Sequence, residues 1–190
     1  MEKVRSFIAV NLSPDIKEYL TSLQANLSIP ETKIKWVEKI NLHLTMKFLG
    51  YISLKESEEI KLILKESTSR YSPFIIKLSS HVGIFPTYQM PRIIWVGITE
   101  GISELKELYN DLENNLANKG FPREDKDFSG HITIGRVKFI RDKTNFIQIV
   151  KRIGVNNLSQ AVGSIDLMES KLTPNGPMYN LTAKFPLLIQ

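Results

Sequence analysis

Two of the three histidines in this chain open the same four-residue pattern, His43-Leu44-Thr45-Met46 and His131-Ile132-Thr133-Ile134. Each copy closes the same succession of elements, so whatever fold the chain adopts must accommodate the unit twice. Residues 7–12 (FIAVNL) form a short apolar run closed by Ser13-Pro14, an N-cap followed by proline at the first helical position. Residues 15–27 set Ile16, Leu20, Leu23 and Leu27 on one helical stripe that ends before Pro30. Residues 34–37 and 41–50 then read as strands, the second strongly alternating and stopped by Gly50. The second succession opens with an apolar strand over 92–98. A helix over 102–120 follows, with Leu105, Leu108, Leu112 and Leu116 in register and Gly120 as its stop, then a strand over 128–139. Phe7 to His43 spans 36 residues and Ile93 to His131 spans 38, which makes the histidines equivalent positions of an internal duplication.

The remaining elements fit around these units. A helix over 54–69 carries Ile60, Ile63 and Leu64, a strand covers 73–85, and a loop covers 87–91. A short helix over 145–154 follows the second motif, and strands over 164–172 and 178–185 close the chain around a Pro174-Asn175-Gly176-Pro177 turn. Short strands interleaved with helices predict an α+β fold: two pseudo-symmetric lobes, antiparallel sheets facing a central cleft, helices outside, one histidine motif per lobe. No flexible linker divides the halves, so residues 1–190 read as one two-lobed domain.

Composition narrows the chemistry. The absence of cysteine excludes disulfides, thiolate metal sites, iron–sulfur clusters and a cysteine nucleophile. The apolar runs are too short to span a bilayer and residues 1–12 lack a signal-peptide core, so the expected location is the cytoplasm. A net charge of +5 favours a polyanionic partner. Eighteen of the 25 basic residues are lysines scattered along the chain, which argues against a phosphate-coating arm.

In a strand, residues two apart share a face. His43 and Thr45 therefore project together while Leu44 and Met46 pack behind them, and His131 and Thr133 do the same over Ile132 and Ile134. A lone histidine in this pattern is ordinarily a solvent-face residue. With ten threonines in the chain, two such hits among three histidines arise by chance in roughly one sequence in a hundred. Two imidazoles and two hydroxyls converging on one point suit a tetrahedral phosphate, with a neutral histidine as base and a charged one as acid. Zinc is the competing reading, but a third ligand is required and neither motif holds a carboxylate at ligand spacing; no metal or other cofactor is expected.

The segments FIAVNL, WVEKINLHLTMKFLG, PRIIWVGI, SGHITIGRVK and LMESKL…MYNL together resemble the bacterial and archaeal RNA 2′,3′-cyclic phosphodiesterases, originally named 2′–5′ RNA ligases, of the two-histidine phosphoesterase superfamily. The resemblance covers nearly the whole chain. It implies a bilobal α+β fold and metal-free hydrolysis of RNA 2′,3′-cyclic phosphate ends, such as those of tRNA fragments, to 2′-phosphates, with reversal giving 2′–5′ ligation. It also implies His43 as proton donor, His131 as proton acceptor, and Thr45 and Thr133 as phosphate ligands; a monomer is expected. One departure is Gly130, where many members carry proline.

Lys47 shares parity with His43 and Thr45, which makes it a candidate contact to the phosphate or to the neighbouring backbone, with a solvated strand lysine as the equal alternative. Arg136 has the opposite parity to His131, yet relatives use an arginine there for substrate, and Gly135 offers a bulge that turns it inward. Trp36, Phe85 and Tyr88 are candidate base-stacking aromatics, whereas His81 lacks a threonine partner and reads as structural or exposed. Two alternatives stay open: a non-catalytic RNA- or nucleotide-binding module, and a phosphodiesterase for small cyclic nucleotides or ADP-ribose cyclic phosphate.

Overall fold

The structure, a computed structural model, describes residues 3–27, 29–174 and 176–188. The chain runs β1 (Lys3–Asn11), α1 (Pro14–Asn26), β2 (Thr32–Trp36), a 3₁₀ turn (Lys39–Asn41), β3 (His43–Ser53), α2 (Leu54–Thr68) and β4 (Phe74–Pro86). It continues through β5 (Pro91–Ile98), α3 (Ile102–Ala117), β6 (His131–Ile140), α4 (Lys143–Arg152), β7 (Ser159–Val162), β8 (Ser164–Thr173) and β9 (Gly176–Pro186). These build the α+β architecture read from the sequence: a four-stranded sheet in the order β3-β1-β8-β9 and a five-stranded sheet in the order β2-β6-β5-β4-β7. Every named strand pair is antiparallel.

Each histidine-bearing strand pairs with the strand that opens its own unit, β3 with β1 and β6 with β5. The chain then crosses over. After α2, β4 joins β5 in the second sheet, and β8 returns to pair with β1 in the first. Neither sheet is therefore made from one contiguous half of the chain, and β3 and β6 meet between the sheets. Gln24 of α1 reinforces the junction by donating from Nε2 to the carbonyls of Val37 and Ile134, both at 2.8 Å.

Core packing fixes the register. Leu44, Met46, Ile132 and Ile134 are all buried. Burying each such side chain contributes about 1.5–3 kcal/mol. A one-residue slip would instead drive the histidines and threonines into the core, so alternation specifies the pairing strongly. Helix starts follow from local chemistry. Ser13 caps α1 by accepting from the Ile16 amide at 3.4 Å, with Pro14 at its first position. Ser53 and Glu56 form a reciprocal capping box where β3 gives way to α2.

Three expectations need correction. β3 does not stop at Gly50: the glycine adopts φ +70° at a register shift in which Leu49 lacks a partner, so it absorbs a bulge and the strand continues to Ser53. β6 starts at His131, three residues later than expected. β7, only four residues long, is absent from the sequence-based expectation. Asn175 of the closing turn lies outside the described residues, while β8 and β9 pair on either side of it. No helix among the described residues is long and apolar enough to cross a membrane.

Candidate active site

His43 enters β3 straight from the 3₁₀ turn, and the turn holds its ring. Nδ1 lies 2.7 Å from the Asn41 carbonyl, an acceptor, so Nδ1 carries the proton and Nε2 is left facing Thr45 Oγ1 at 2.9 Å. His131 is held in the same way, with Nδ1 donating to the Ser129 carbonyl at 2.7 Å. Gly130, between them, is buried and its carbonyl accepts from the Ile98 amide at 3.2 Å. The Ile102 side chain fills the space a Cβ would need, at 2.6 Å, so a side chain at 130 would require Ile102 to move.

Aromatic rings wall both histidines. The His43 ring centroid is 4.9 Å from Phe7 and 5.3 Å from Tyr179, the latter edge-on. His131 meets Phe85 edge-on at 5.2 Å and Trp95 at 6.0 Å, and those two rings stack on each other at 4.7 Å. Trp95 lies across Gly83: a Cβ there would come within 2.2 Å of the indole, so the glycine makes the wall possible. Asn11, the cross-strand partner of His43, donates from Nδ2 to Asp166 at 2.7 Å.

Burial is the main influence on the His43 imidazole, pushing it down from the usual histidine value to about 4. The bond to the Asn41 carbonyl opposes that shift, and positive charge on Lys17 and on His131 adds to it. The two imidazoles are thus electrostatically linked across the cleft.

Cross-strand partners in antiparallel sheets share a face, which places the other candidates. On β6, Gly97 opposes His131, Trp95 opposes Thr133 and Ile93 opposes Arg136. The one-residue shift between Ile94 and Trp95 leaves an extra residue in β6 beside Gly135, and Arg136 comes onto the histidine face. On β3 the equivalent shift has the opposite consequence. Thr45 opposes Ala9 but Lys47 opposes Ile8, so the bulge at Met46 turns Lys47 away from His43 and into the interior. There it is 3% exposed, ion-paired with Glu113 of α3 and donating to the Pro122 carbonyl at 2.9 Å. The expectation that Lys47 meets a phosphate is corrected accordingly: it ties β3 to α3.

His43, Thr45, His131, Thr133, Arg136 and Phe85 thus border the cleft. Trp36 does not; it packs on Gly135 on the helix side of the sheet. Tyr88 packs against the core under the Lys151 ammonium, and His81 is exposed and bonded to Ser80. Phe7, Asn11, Lys17, Trp95 and Tyr179 border the site without having been singled out from the sequence. Four of them lie inside segments that carry the resemblance, Phe7 and Asn11 in FIAVNL, Trp95 in PRIIWVGI and Tyr179 in MYNL, whereas Lys17 carried no such signal. Among the described residues, no three His, Asp or Glu side chains form a metal-holding group.

A family model described as LigT like phosphoesterase matches residues 10–95 and again residues 96–179. The chain belongs to this family. Each matched stretch of the LigT-like phosphoesterase contains one histidine motif. An Archaeoglobus fulgidus protein named RNA 2′,3′-cyclic phosphodiesterase is 36% identical over 93% of this chain and 96% of its own length. An Aquifex aeolicus protein of the same name is 33% identical over 98% of this chain and 99% of its own. A crystal structure of a Thermus thermophilus protein matches with a TM-score of 0.81 at 26% identity, covering 96% of this chain and 97% of that one. The LigT-like chain is accordingly an enzyme that acts on phosphate esters.

Proposed function

We propose that this phosphoesterase hydrolyses RNA 2′,3′-cyclic phosphate ends to 2′-phosphates with a histidine acid–base pair and no metal ion. The substrate is the one in the names of the A. fulgidus and A. aeolicus relatives. The observation that carries the mechanism is the matched tethering of the two rings: each Nδ1–H is committed to a backbone carbonyl, which leaves each Nε2 free to move a proton. His131 Nε2 takes a proton from water as the oxygen bonds to phosphorus. The bond from phosphorus to O3′ breaks, and O3′ takes the proton from His43 Nε2. Thr45 and Thr133 donate to the non-bridging oxygens, where charge grows, and Arg136 adds positive charge. With the 5′-hydroxyl of a second strand in place of water, the same steps open the cyclic phosphate to a 2′–5′ linkage, O3′ again leaving with the proton from His43. Incubating the protein with an oligonucleotide ending in a cyclic phosphate, in excess EDTA, is expected to give the 2′-phosphate at an undiminished rate. Loss of turnover in EDTA that zinc or magnesium restores would overturn the metal-free mechanism, and a 3′-phosphate product would overturn the assignment of the leaving oxygen.

With its imidazole near 4, His43 is neutral in the free protein at pH 7 and becomes an acid when the anionic phosphate arrives beside it. Since kcat/KM reports the free enzyme and kcat the complex, the acid limb of kcat/KM is expected near pH 4 and that of kcat at higher pH. The limbs belong to the coupled pair. An acid limb of kcat/KM near ~6.5, the value of an unperturbed imidazole, would contradict this electrostatic account.

A further inference from the structure

We propose that the histidine face of the five-stranded sheet extends beyond the phosphate site as a track for the single-stranded RNA that precedes the cyclic phosphate, with the ring of Phe139 as a stacking platform for a base. The proposal rests on the RNA-end reading above and adds where the rest of the chain lies.

The register defines the track. Lys35 opposes Arg136 and Lys33 opposes Phe139 across β2 and β6, and Lys33 and Lys35 share a face, so Arg136 and Phe139 share it too. The row His131, Thr133, Arg136, Phe139 therefore leads away from the site along one surface. From Thr133 to Phe139 it covers about 20 Å at strand rise, longer than a single nucleotide. Alongside lies a groove of about 580 Å³, lined by Arg92, Arg136, Lys138 and Lys143 together with Met90 and Phe139, and no carboxylate lines it. Phe139 is 58% exposed and Met90 56%.

Charge and continuity argue for RNA as the occupant. Among the described residues, none of Lys33, Lys35, Arg92, Arg136, Lys138 and Lys143 forms an ion pair, so their charge is available to a polyanion. Unpaired cations around an exposed aromatic ring suit a chain carrying regularly spaced phosphates and free base faces. Arg136 belongs both to the phosphate face and to the groove, so a chain anchored by its terminal phosphate enters the track directly. The Lys35 ammonium also lies against Gly176 at the end of the β8–β9 hairpin, bridging to the other sheet beside the track.

The test compares a pentanucleotide ending in a cyclic phosphate with the cyclic mononucleotide, for the wild type, Phe139→Ala and the double variant Lys138→Ser/Lys143→Ser, all exposed positions where substitution leaves the fold intact. The wild type is expected to favour the pentanucleotide by about tenfold or more in kcat/KM, and Phe139→Ala to reduce that preference about tenfold through KM. In the double variant the preference should fall and become less sensitive to salt. Anisotropy of a labelled pentanucleotide ending in a 2′-phosphate gives a reading independent of turnover. Equal kcat/KM for both substrates in the wild type, or variants that alter neither the preference nor the binding, would overturn the track. Binding that Phe139→Ala weakens, in a protein that hydrolyses neither substrate, would support the track and overturn the activity.

Discussion

Alanine at His43 or at His131 is expected to lower kcat by about 10²–10⁴-fold, the usual contribution of a positioned proton donor or acceptor. Neither ring is part of the hydrophobic core, and the buried neighbours Leu44 and Ile132 that hold each strand in register are untouched, so both variants should fold. Because the histidines act in one step, replacing both is expected to cost little more than replacing one. Initial rates on the cyclic-phosphate oligonucleotide, with circular dichroism to verify folding, measure this. A loss below tenfold in either folded variant would contradict the assignment of proton transfer to that residue.

Lys47→Ala is expected to destabilise the protein by about 3–5 kcal/mol, because Glu113 would be left charged, buried and without its partner. For a chain of this length that corresponds to a fall in Tm of roughly 10 °C. Replacing both partners, Lys47→Met with Glu113→Leu, removes the orphaned charge and is expected to recover most of the loss. The folded fraction of Lys47→Ala should retain its turnover. A variant as stable as the wild type but inactive would return Lys47 to the phosphate site.

Lys47 also shows where reading the sequence runs out. Strict alternation over HLTM and HITI fixes which residues are buried, and the structure buries Leu44, Met46, Ile132 and Ile134. Both strands then gain one unpaired residue, which reverses parity beyond it. On β6 the bulge has a glycine to mark it, so the inward turn of Arg136 was legible. On β3 it falls at Met46-Lys47, where no glycine signals it, and only the pairing with β1 reveals the turn. The aromatic wall around His43 was hidden for a different reason. Phe7 and Tyr179 stand 172 positions apart in the sequence and meet only because β8 and β9 return to the sheet containing β1. Local patterns cannot report such non-local pairing. Trp36 is the converse case: an aromatic in a strand beside the site that faces the helices, because its partner Gly135 sits on the helix side of the bulge.

The central claim, that His43 gives a proton to the leaving O3′ while His131 takes one from water, is tested most directly with a cyclic substrate carrying sulfur in place of O3′. An alkoxide leaves poorly without protonation, whereas a thiolate, whose conjugate acid is near ~8.5, leaves without help. The account predicts that sulfur restores much of the lost rate to His43→Ala and does little for His131→Ala, where water still lacks its base. Rescue of His131→Ala with His43→Ala left inactive would reverse the two roles, and rescue of neither would contradict the acid–base mechanism itself.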